Sequence, residues 1–415
     1  MGWKRPRSIA IVGDGPAGAT LGTLLARRGL PVVLFSRGRP AGPVVGESTI
    51  PAVVPILREL GIEREVAGYA EYKPGATFVV DAGFEFEIDF ATVCRRAPGY
   101  AYNVPRDRFD ATLLECCKRS GARVVEGSAK LERVGGGDDA SVRLAPESRE
   151  QARAVLGHEP DFLVDASGRS RLLARTLGLA ERRGPRRDDA LFAHWSGVPL
   201  DRTGHVHTDR LERGWCWRIP LPGRVSLGIV GDAETLRAGG DDVESRYRAA
   251  TQREPHLRRL VANAQRLTPV VRYSNYQLRT LRGVGPGWAL AGDSFGFVDP
   301  VFSSGLFLAM DAGRALAQAI VAGSARALRR YERGQLRHIA AWQQAADYFY
   351  DGRFFAIFRM GQREEARTAW IRPHVSRHLP GVFTGETTKD FYAPRLLGLM
   401  ARRALSENPE AMRVA

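Results

Sequence analysis

The sequence predicts an α/β fold with two interleaved sheets and a helical C-terminal region. A buried strand at residues 8–12, a glycine-rich turn, an apolar helix and a second apolar strand at residues 31–35 indicate a parallel sheet. Strict alternation of apolar and acidic residues over 84–90 indicates a half-buried antiparallel strand of a second sheet. Past residue 325, aromatic residues recur at helical spacing, which predicts helices.

The glycine-rich turn fits the GxGxxG spacing through Gly13, Gly15 and Gly18. The first glycine permits a tight turn, the second lets a pyrophosphate approach bare backbone, and the third lets helix and strand pack closely. The N–H groups at the start of the helix, which includes Ala17, favour a phosphate there. This pattern predicts a dinucleotide site; the other interpretation is a glycine turn in an unrelated α/β domain.

One position departs from the dinucleotide-binding pattern. An acid about 20 residues after the glycines normally binds the ribose hydroxyls. Here the second strand ends in Ser36, followed by Arg37. Either the ribose is held differently or the dinucleotide is held loosely.

Composition narrows the class of protein. The chain has 415 residues and a formal net charge of +15, which favours anionic partners, although an arginine-rich proteome explains much of it. No dense Lys/Arg tract with interleaved aromatics indicates nucleic-acid binding. The four cysteines form no CxxC pair, so we expect no metal and a reduced, cytoplasmic setting. The sequence predicts neither a signal peptide nor a membrane span.

The two predicted sheets alternate along the chain. Residues 146–158 are polar and are predicted to be a surface loop, residues 135–139 a turn between two strands, and residues 189–280 a run of strands and turns. The predicted division is a nucleotide-binding domain at 1–70, 100–185 and 285–325, a β-sheet substrate domain at 71–99 and 186–284, and a helical region at 326–415.

Three separated motifs carry a resemblance to a cofactor class. They are GxGxxG, Asp165-Ala-Ser-Gly-Arg169, and Gly292-Asp293 followed by Asp299-Pro300. Together they resemble FAD-binding proteins of the glutathione-reductase type, in the aromatic hydroxylase branch. The resemblance implies that Asp293 holds the ribityl chain of FAD and that Pro300 and the following helix N-terminus face its ring. No second GxGxxG is present, so no NAD(P)H domain is expected.

Four further motifs resemble those of flavin-dependent halogenases, over roughly residues 8–360. The similarity is greatest to the class that acts on phenols or pyrroles, often tethered to a carrier protein. The WxWxIP motif is the most specific of them. The four motifs are Gly46-Glu47-Ser48, Lys73-Pro-Gly-Ala-Thr-Phe78, Trp215-x-Trp217-x-Ile219-Pro220 and Asp299-Pro-Val-Phe-Ser-Ser304-Gly305.

The resemblance implies a reaction of secondary-metabolite biosynthesis. Reduced FAD, delivered by a separate flavin reductase, would react with O2 to a C4a-hydroperoxide, and chloride or bromide would attack it to give hypohalous acid. Lys73 would then deliver the halogen to an electron-rich aromatic ring. Two alternatives remain open at this point: an FAD-dependent hydroxylase or dehydrogenase on the same scaffold, and a non-catalytic flavin-binding or carrier-docking protein.

Lys73 and the start of the helix after residue 304 are the predicted chemical centre. An amine can capture and polarise hypohalous acid, and burial lowers the pKa of a lysine; the other interpretation of Lys73 is a solvated surface lysine. Ser304 and Gly305 match the family's halide site, where backbone N–H groups bind the anion. The other interpretation of Ser304 is a plain helix N-cap, and both can hold.

The remaining predicted site residues surround the flavin. The resemblance places Glu47 and Ser48 at the flavin edge, with Glu47 also predicted as catalytic, although Glu47 could equally cap the helix that follows Pro51. Arg106 matches an arginine that reaches FAD. Trp215 and Trp217 would separate substrate from flavin, or simply pack within the sheet. The aromatic stripe from residue 342 to 358 is predicted to be core, and the resemblance implies that the same region also serves as a lid over the substrate.

Overall fold

The computed structural model describes residues 5–38, 42–136, 140–363, 378–403 and 407–415. Its first sheet has six strands, parallel throughout except at the β17–β18 edge, as the glycine-rich stretch predicted. The strands, in spatial order, are β17 (Val284–Gly285), β18 (Trp288–Leu290), β10 (Phe162–Asp165), β1 (Ile9–Val12), β2 (Val32–Ser36) and β7 (Arg123–Glu126).

The second sheet is antiparallel except between β12 and β4. The alternation predicted for β5 is confirmed, because Phe84, Phe86 and Ile88 are buried while the acidic residues between them are exposed. The strands, in spatial order, are β19 (Gly296–Phe297), β16 (Val271–Thr280), β11 (Glu181–Ser196), β14 (Arg224–Asp232), β13 (Trp215–Leu221), β12 (Val206–Arg210), β4 (Gly75–Asp81) and β5 (Phe84–Asp89), with β15 (Gln265–Arg266) paired to β11.

Two small antiparallel pairs complete the strands. β3 (Glu71–Lys73) pairs with β6 (Ala101–Asn103), and β8 (Leu131–Val134) pairs with β9 (Ser141–Leu144). The predicted turn between β8 and β9 includes residues 137–139, which lie outside the described residues. The first pair ends at Lys73, which lies opposite Ala101.

Two sequence predictions about loops are wrong. Residues 146–156 form a helix that starts at Pro146 and is followed by Gly157, whose φ of 80° suits a glycine C-cap. The span 189–280 contains three helices between its strands. The helices are α1 (Pro16–Ala26), α2 (Val54–Leu60), α3 (Glu63–Ala67), α4 (Phe90–Val93), α5 (Arg106–Arg119), α6 (Pro146–Leu156), α7 (Leu172–Leu177), α8 (Ala233–Arg237), α9 (Val243–Arg253), α10 (Pro255–Val261), α11 (Gly305–Val321), α12 (Ala325–Tyr350), α13 (Arg353–Arg363), α14 (Pro380–Phe383) and α15 (Ala393–Arg403).

The C-terminal helices pack on the rest of the molecule through aromatic rings. Trp342, Phe349 and Phe354 are buried, which confirms that the aromatic stripe contributes to the core, while its role as a substrate lid stays a prediction. Phe302 connects it to the motif before α11: its ring centroid lies 5.1 Å from that of Phe354 and 5.1 Å from that of Phe383. Residues 364–377 and 404–406 of the predicted helical region lie outside the described part. Within that part, no helix is both long and apolar enough to span a membrane.

Candidate active site

A cavity of about 610 Å³ opens where β1, β2, β10 and β18 end, and it extends to the inner face of the second sheet and the start of α11. The carboxyl ends of parallel strands are where α/β proteins bind ligands. Gly18, Lys73 and Ser304 are predicted site residues that do not line it. The predicted residues that line it are Gly13, Gly15, Ala17, Glu47, Ser48, Arg106, Trp215, Trp217, Asp293, Pro300 and Gly305.

Gly13, Gly15 and Gly18 of the predicted dinucleotide site differ in what a side chain at each position would meet. A Cβ on Gly13, whose φ is 109°, would lie 2.3 Å from the carbonyl oxygen of Ala166. A Cβ on Gly18 would lie 2.0 Å from the carbonyl oxygen of Gly13, so this residue packs the helix against the turn. A Cβ on Gly15 would meet nothing within 4 Å. Gly15 therefore leaves bare backbone facing the cavity at the N-terminus of α1, where a pyrophosphate is favoured.

Asp293 follows β18 and supplies a carboxylate to the cavity. Within the described chain its side chain has no hydrogen-bond partner, and burial raises its pKa to about 6. A carboxylate in this setting can accept hydrogen bonds from ligand hydroxyl groups. Across the cavity wall, the guanidinium of Arg169 lies 3.7 Å from the ring centroid of Tyr273.

Glu47 forms a buried pair with a residue of the second sheet. Its Oε1 lies 2.7 Å from Nε2 of His194 on β11, and both side chains are buried. The short helix at Pro51 has no side-chain cap, so the helix-capping interpretation of Glu47 is wrong. The pair instead joins the loop before Pro51 to strand β11 of the second sheet.

Lys73 is buried at the end of β3, with 2% of its surface exposed, so the interpretation as a solvated surface lysine is wrong. Its Nζ donates to Oγ of Ser48 at 2.8 Å and to the carbonyl oxygen of Thr49 at 2.9 Å. No carboxylate of the described residues lies within ion-pair distance, and burial lowers the pKa of Lys73 to about 7. Because Ser48 also lines the cavity, it connects the cavity to the amine.

The two tryptophans of β13 both line the cavity and pack in the sheet. Trp215 Nε1 donates to Oη of Tyr350 at 3.0 Å, and that hydroxyl donates to Asp299 at 3.1 Å. Trp217 Nε1 donates to Oγ of Ser226 at 3.2 Å. The packing interpretation of the WxW motif is therefore confirmed, and the separation of substrate from flavin stays a prediction.

Arg106 begins α5 and faces the cavity beside the Glu47 loop. Its Nε and Nη2 each lie 3.0 Å from an oxygen of Asp110, and its Nη1 donates to the carbonyl of Val45. The guanidinium is thus fixed in place on the cavity wall. At the opposite end, Ser304 is buried ahead of the 17-residue helix α11 and makes no side-chain capping bond, while Ser303 has a φ of 55°. The first N–H groups of α11 therefore have no side-chain cap.

One cluster outside the cavity has metal-ligand residue types. Asp209, Cys216 and His256 place potential ligand atoms within 4.8 Å of one another. The guanidinium of Arg218 already binds both oxygens of Asp209, at 2.8 Å and 3.1 Å. A fixed cation on the carboxylate opposes a second one, so we assign no metal there.

Comparison with known proteins decides the family. The tryptophan halogenase family profile matches residues 87–353. The chain belongs to the tryptophan halogenase family. It is 29% identical to the tryptophan 2-halogenase of Chondromyces crocatus, over 94% of this chain and 76% of that relative. It is 26% identical to a 1H-pyrrole-2-carbonyl-[peptidyl-carrier protein] chlorinase of Pseudomonas fluorescens, over 74% of each chain.

The fold agrees with the family assignment. The myxobacterial chondrochloren halogenase CndH, described as a variant of FAD-dependent halogenases, superposes with a TM-score of 0.72 at 25% identity, over 96% of each chain. This halogenase is therefore an enzyme of the flavin-dependent type. Its residues fit FAD: Gly15 leaves open backbone for a pyrophosphate, and Asp293 offers an unpartnered acceptor to a polyol chain.

Sequence reasoning missed two residues of the halogenase site. His194 is a single histidine in a strand, and no local pattern marks it as the partner of Glu47. Tyr350 belongs to the aromatic stripe that was noted, but its hydrogen bonds to Trp215 and Asp299 depend on the fold. Both residues come from segments far from their partners in the chain.

Proposed function

We propose that this halogenase uses reduced FAD, supplied by a separate flavin reductase, with O2 and chloride or bromide, to halogenate an electron-rich aromatic ring. O2 would be the oxidant and reduced FAD would supply two electrons, so that the halide would leave the flavin cavity as hypohalous acid. The residues that act on it are Lys73, Ser48 and the start of α11.

The observation that carries the proposal is the environment of Lys73. A buried amine with a pKa near 7 and no carboxylate partner is substantially neutral at neutral pH. A neutral amine can react with hypohalous acid so that the nitrogen takes the halogen and water leaves with one amine proton. It can also hold the acid by a hydrogen bond. Either route delivers electrophilic halogen to a carbon nucleophile.

The start of α11 supports a halide site. Gly305 lines the cavity, and a Cβ there would meet nothing within 4 Å. The uncapped N–H groups and the positive end of the helix dipole favour an anion at this point. We propose that Ser304 and Gly305 bind the halide there, beside the flavin ring that Pro300 would face.

The positions of Trp215 and Trp217 support a separation between hypohalous acid formation at the flavin and halogen transfer at Lys73. Their rings form a wall of the flavin cavity and are held by hydrogen bonds at both indole nitrogens. We propose that this wall keeps the aromatic substrate from the flavin, so that halogen transfer at Lys73 replaces direct hydroxylation. Glu47, held by His194, lines the same cavity at the flavin edge.

The proposed substrate is a phenol or a pyrrole, free or bound to a carrier protein. The carrier-protein chlorinase among the relatives and the net charge of +15, which suits an acidic carrier, support the bound form. Tryptophan serves as the contrasting acceptor, because another relative is named for it.

The test supplies purified protein with a flavin reductase, NADH, O2 and chloride or bromide. Phenol, pyrrole, tryptophan and carrier-bound tyrosyl or pyrrolyl acceptors are compared by mass spectrometry, for wild type, Lys73→Ala and the exposed-lysine control Lys118→Ala. We expect halide-dependent product that is lost in Lys73→Ala and kept in Lys118→Ala, with flavin oxidation unchanged. Hydroxylated or dehydrogenated product without halide dependence would contradict the proposal.

A further inference from the structure

We propose that Asp14 binds the adenosine ribose hydroxyls of FAD and that Ser36 holds the Asp14 carboxylate in place. The carboxylate that usually ends the second strand is thereby moved to the middle residue of the glycine turn. The inference concerns cofactor binding and does not depend on which substrate the enzyme halogenates.

Strand register brings the two residues together. β1 and β2 are parallel, with Val12 opposite Phe35, and the N–H of Gly13 donates to the carbonyl of Phe35 at 3.0 Å. The residues that follow each strand therefore emerge at the same edge of the sheet. There, Oγ of Ser36 donates to Oδ2 of Asp14 at 2.8 Å.

The position of Asp14 suits a ligand diol. It lines the cavity next to Gly15, together with Gly127 and Ser128 at the end of β7. Ser36 satisfies one carboxylate oxygen, and within the described chain the other has no hydrogen-bond donor. A ribose offers two adjacent hydroxyl donors, which match a carboxylate acceptor at this end of a dinucleotide site.

Other roles for Asp14 are not supported. It accepts no backbone N–H of α1, whose N-cap residue is Gly15, so it is not a helix cap. The nearby cavity residue Asp110 is already bound by Arg106, so it is not equivalent to Asp14. Asp14 thus places a cavity-lining carboxylate beside Ser36, the residue at the strand end where the ribose-binding acid normally lies.

The experiment measures the dissociation constant of oxidised FAD from apoprotein by flavin fluorescence. A second ligand is the FAD analogue that lacks the 2′-hydroxyl of the adenosine ribose. We expect Asp14→Ala to weaken FAD binding about 10- to 100-fold, as for a hydrogen bond to a charged group. Wild type should lose affinity for the deoxy analogue, whereas Asp14→Ala should bind FAD and the analogue equally.

Two further variants keep the test decisive if Asp14→Ala folds poorly. Asp14→Leu keeps a similar side-chain shape without a hydrogen-bond acceptor, and it should show the same loss of discrimination between the two ligands. The exchanged variant Asp14→Ser with Ser36→Glu returns the acid to the strand end and should recover FAD affinity. FAD binding that is unchanged or tighter in Asp14→Ala and Asp14→Leu, or continued discrimination between the ligands in these variants, would overturn the proposal; tighter binding would mean that Asp14 repels the pyrophosphate.

Discussion

The Nζ of Lys73 lies 2.8 Å from the Oγ of Ser48, and Ser48 is also a wall residue of the flavin cavity. A neutral amine has two N–H groups, and Ser48 Oγ and the Thr49 carbonyl accept both. The ring of Phe90, whose centroid lies 5.4 Å from Nζ, is a further neighbour of the amine.

The protonation of Lys73 predicts the pH dependence of halogenation. Burial lowers its pKa to about 7, so halogenation per FAD oxidised should rise about tenfold per pH unit below pH 7 and level off above it. Single-turnover product yields across pH, at constant flavin oxidation, measure this. A yield that stays flat from about pH 5 to pH 8 would contradict a titrating amine.

The lowered pKa of Lys73 also predicts that the free energy of unfolding depends on pH. Unfolded Lys73 has an ordinary pKa, near 10.5, and binds more protons than folded Lys73 between pH 7 and pH 10.5. Stability from this residue therefore rises with pH in that window. From pH 7 to 9 the free energy of unfolding of wild type should gain about 2–3 kcal/mol over that of Lys73→Met. Denaturant titrations at both pH values test this, and parallel pH profiles of the two proteins would refute it.

Ser48→Ala should impair halogenation while FAD oxidation continues. The substitution removes the acceptor of one Lys73 N–H in a buried site, which costs about 1–3 kcal/mol and misorients the amine. We expect about a 10-fold lower halogenated yield and more hypohalous acid released to a trap. Ser48→Thr retains the hydroxyl and should recover most of the yield, and Ser141→Ala at a distant, partly exposed position is the matched control. Equal yields for Ser48→Ala and Ser141→Ala would exclude the positioning role.

Gly305→Ala should weaken halide use without harming the fold. A Cβ there meets no protein atom, but it enters the cavity at the proposed anion site. We expect the halide KM to rise about 10-fold, with the melting temperature almost unchanged. Gly334→Ala on α12, where a Cβ also meets nothing within 4 Å, is the control and should leave the halide KM unaltered. If both variants have wild-type halide KM, the halide binds elsewhere.

Tyr350→Phe should leave Trp215 less firmly held on the wall of the flavin cavity. It removes the acceptor of Trp215 Nε1, which is left unsatisfied in a buried site, and it removes one of the donors to Asp299. We expect the free energy of unfolding to fall by about 2–4 kcal/mol and FAD oxidation to become less coupled to halogenation. Tyr348→Phe loses a hydroxyl that bonds only one half-buried glutamine side chain within the described chain, and it should change little. Denaturant titration and peroxide release measure the two effects.

The sequence predicted the elements whose signals are local. The glycine spacing at residues 13–18 predicted the strand–turn–helix unit, and the alternation in β5 predicted its buried face. Helix α6 was missed because it buries little more than Ser148 and Ala152, so its polar sequence carries no apolar stripe. The domain division itself stays a prediction.

The sequence predicted a residue at the cavity only where that residue belongs to a known motif. The motifs predicted Asp293 and Gly305 at the cavity, and the structure places both there. The burial of Lys73 could not be read from its neighbours, because it depends on pairing with β6 and on the loop at Thr49. The partnership of Asp14 and Ser36, 22 positions apart, likewise depends on the register of two strands.

The hydroxyl of Tyr350 has a consequence for protein engineering. Tyr350 is the last residue of α12, and its hydroxyl connects Trp215 of the second sheet to Asp299 of the segment before α11. Some chimeras would exchange the C-terminal helices between halogenases in order to change which aromatic substrates are accepted. Such an exchange also replaces the residue whose hydroxyl holds Trp215 in place. A productive crossover needs a tyrosine at this position, or a compensating partner for the indole nitrogen. Without such a partner, we expect the exchanged helices to change the fraction of FAD oxidation that leads to halogenated product.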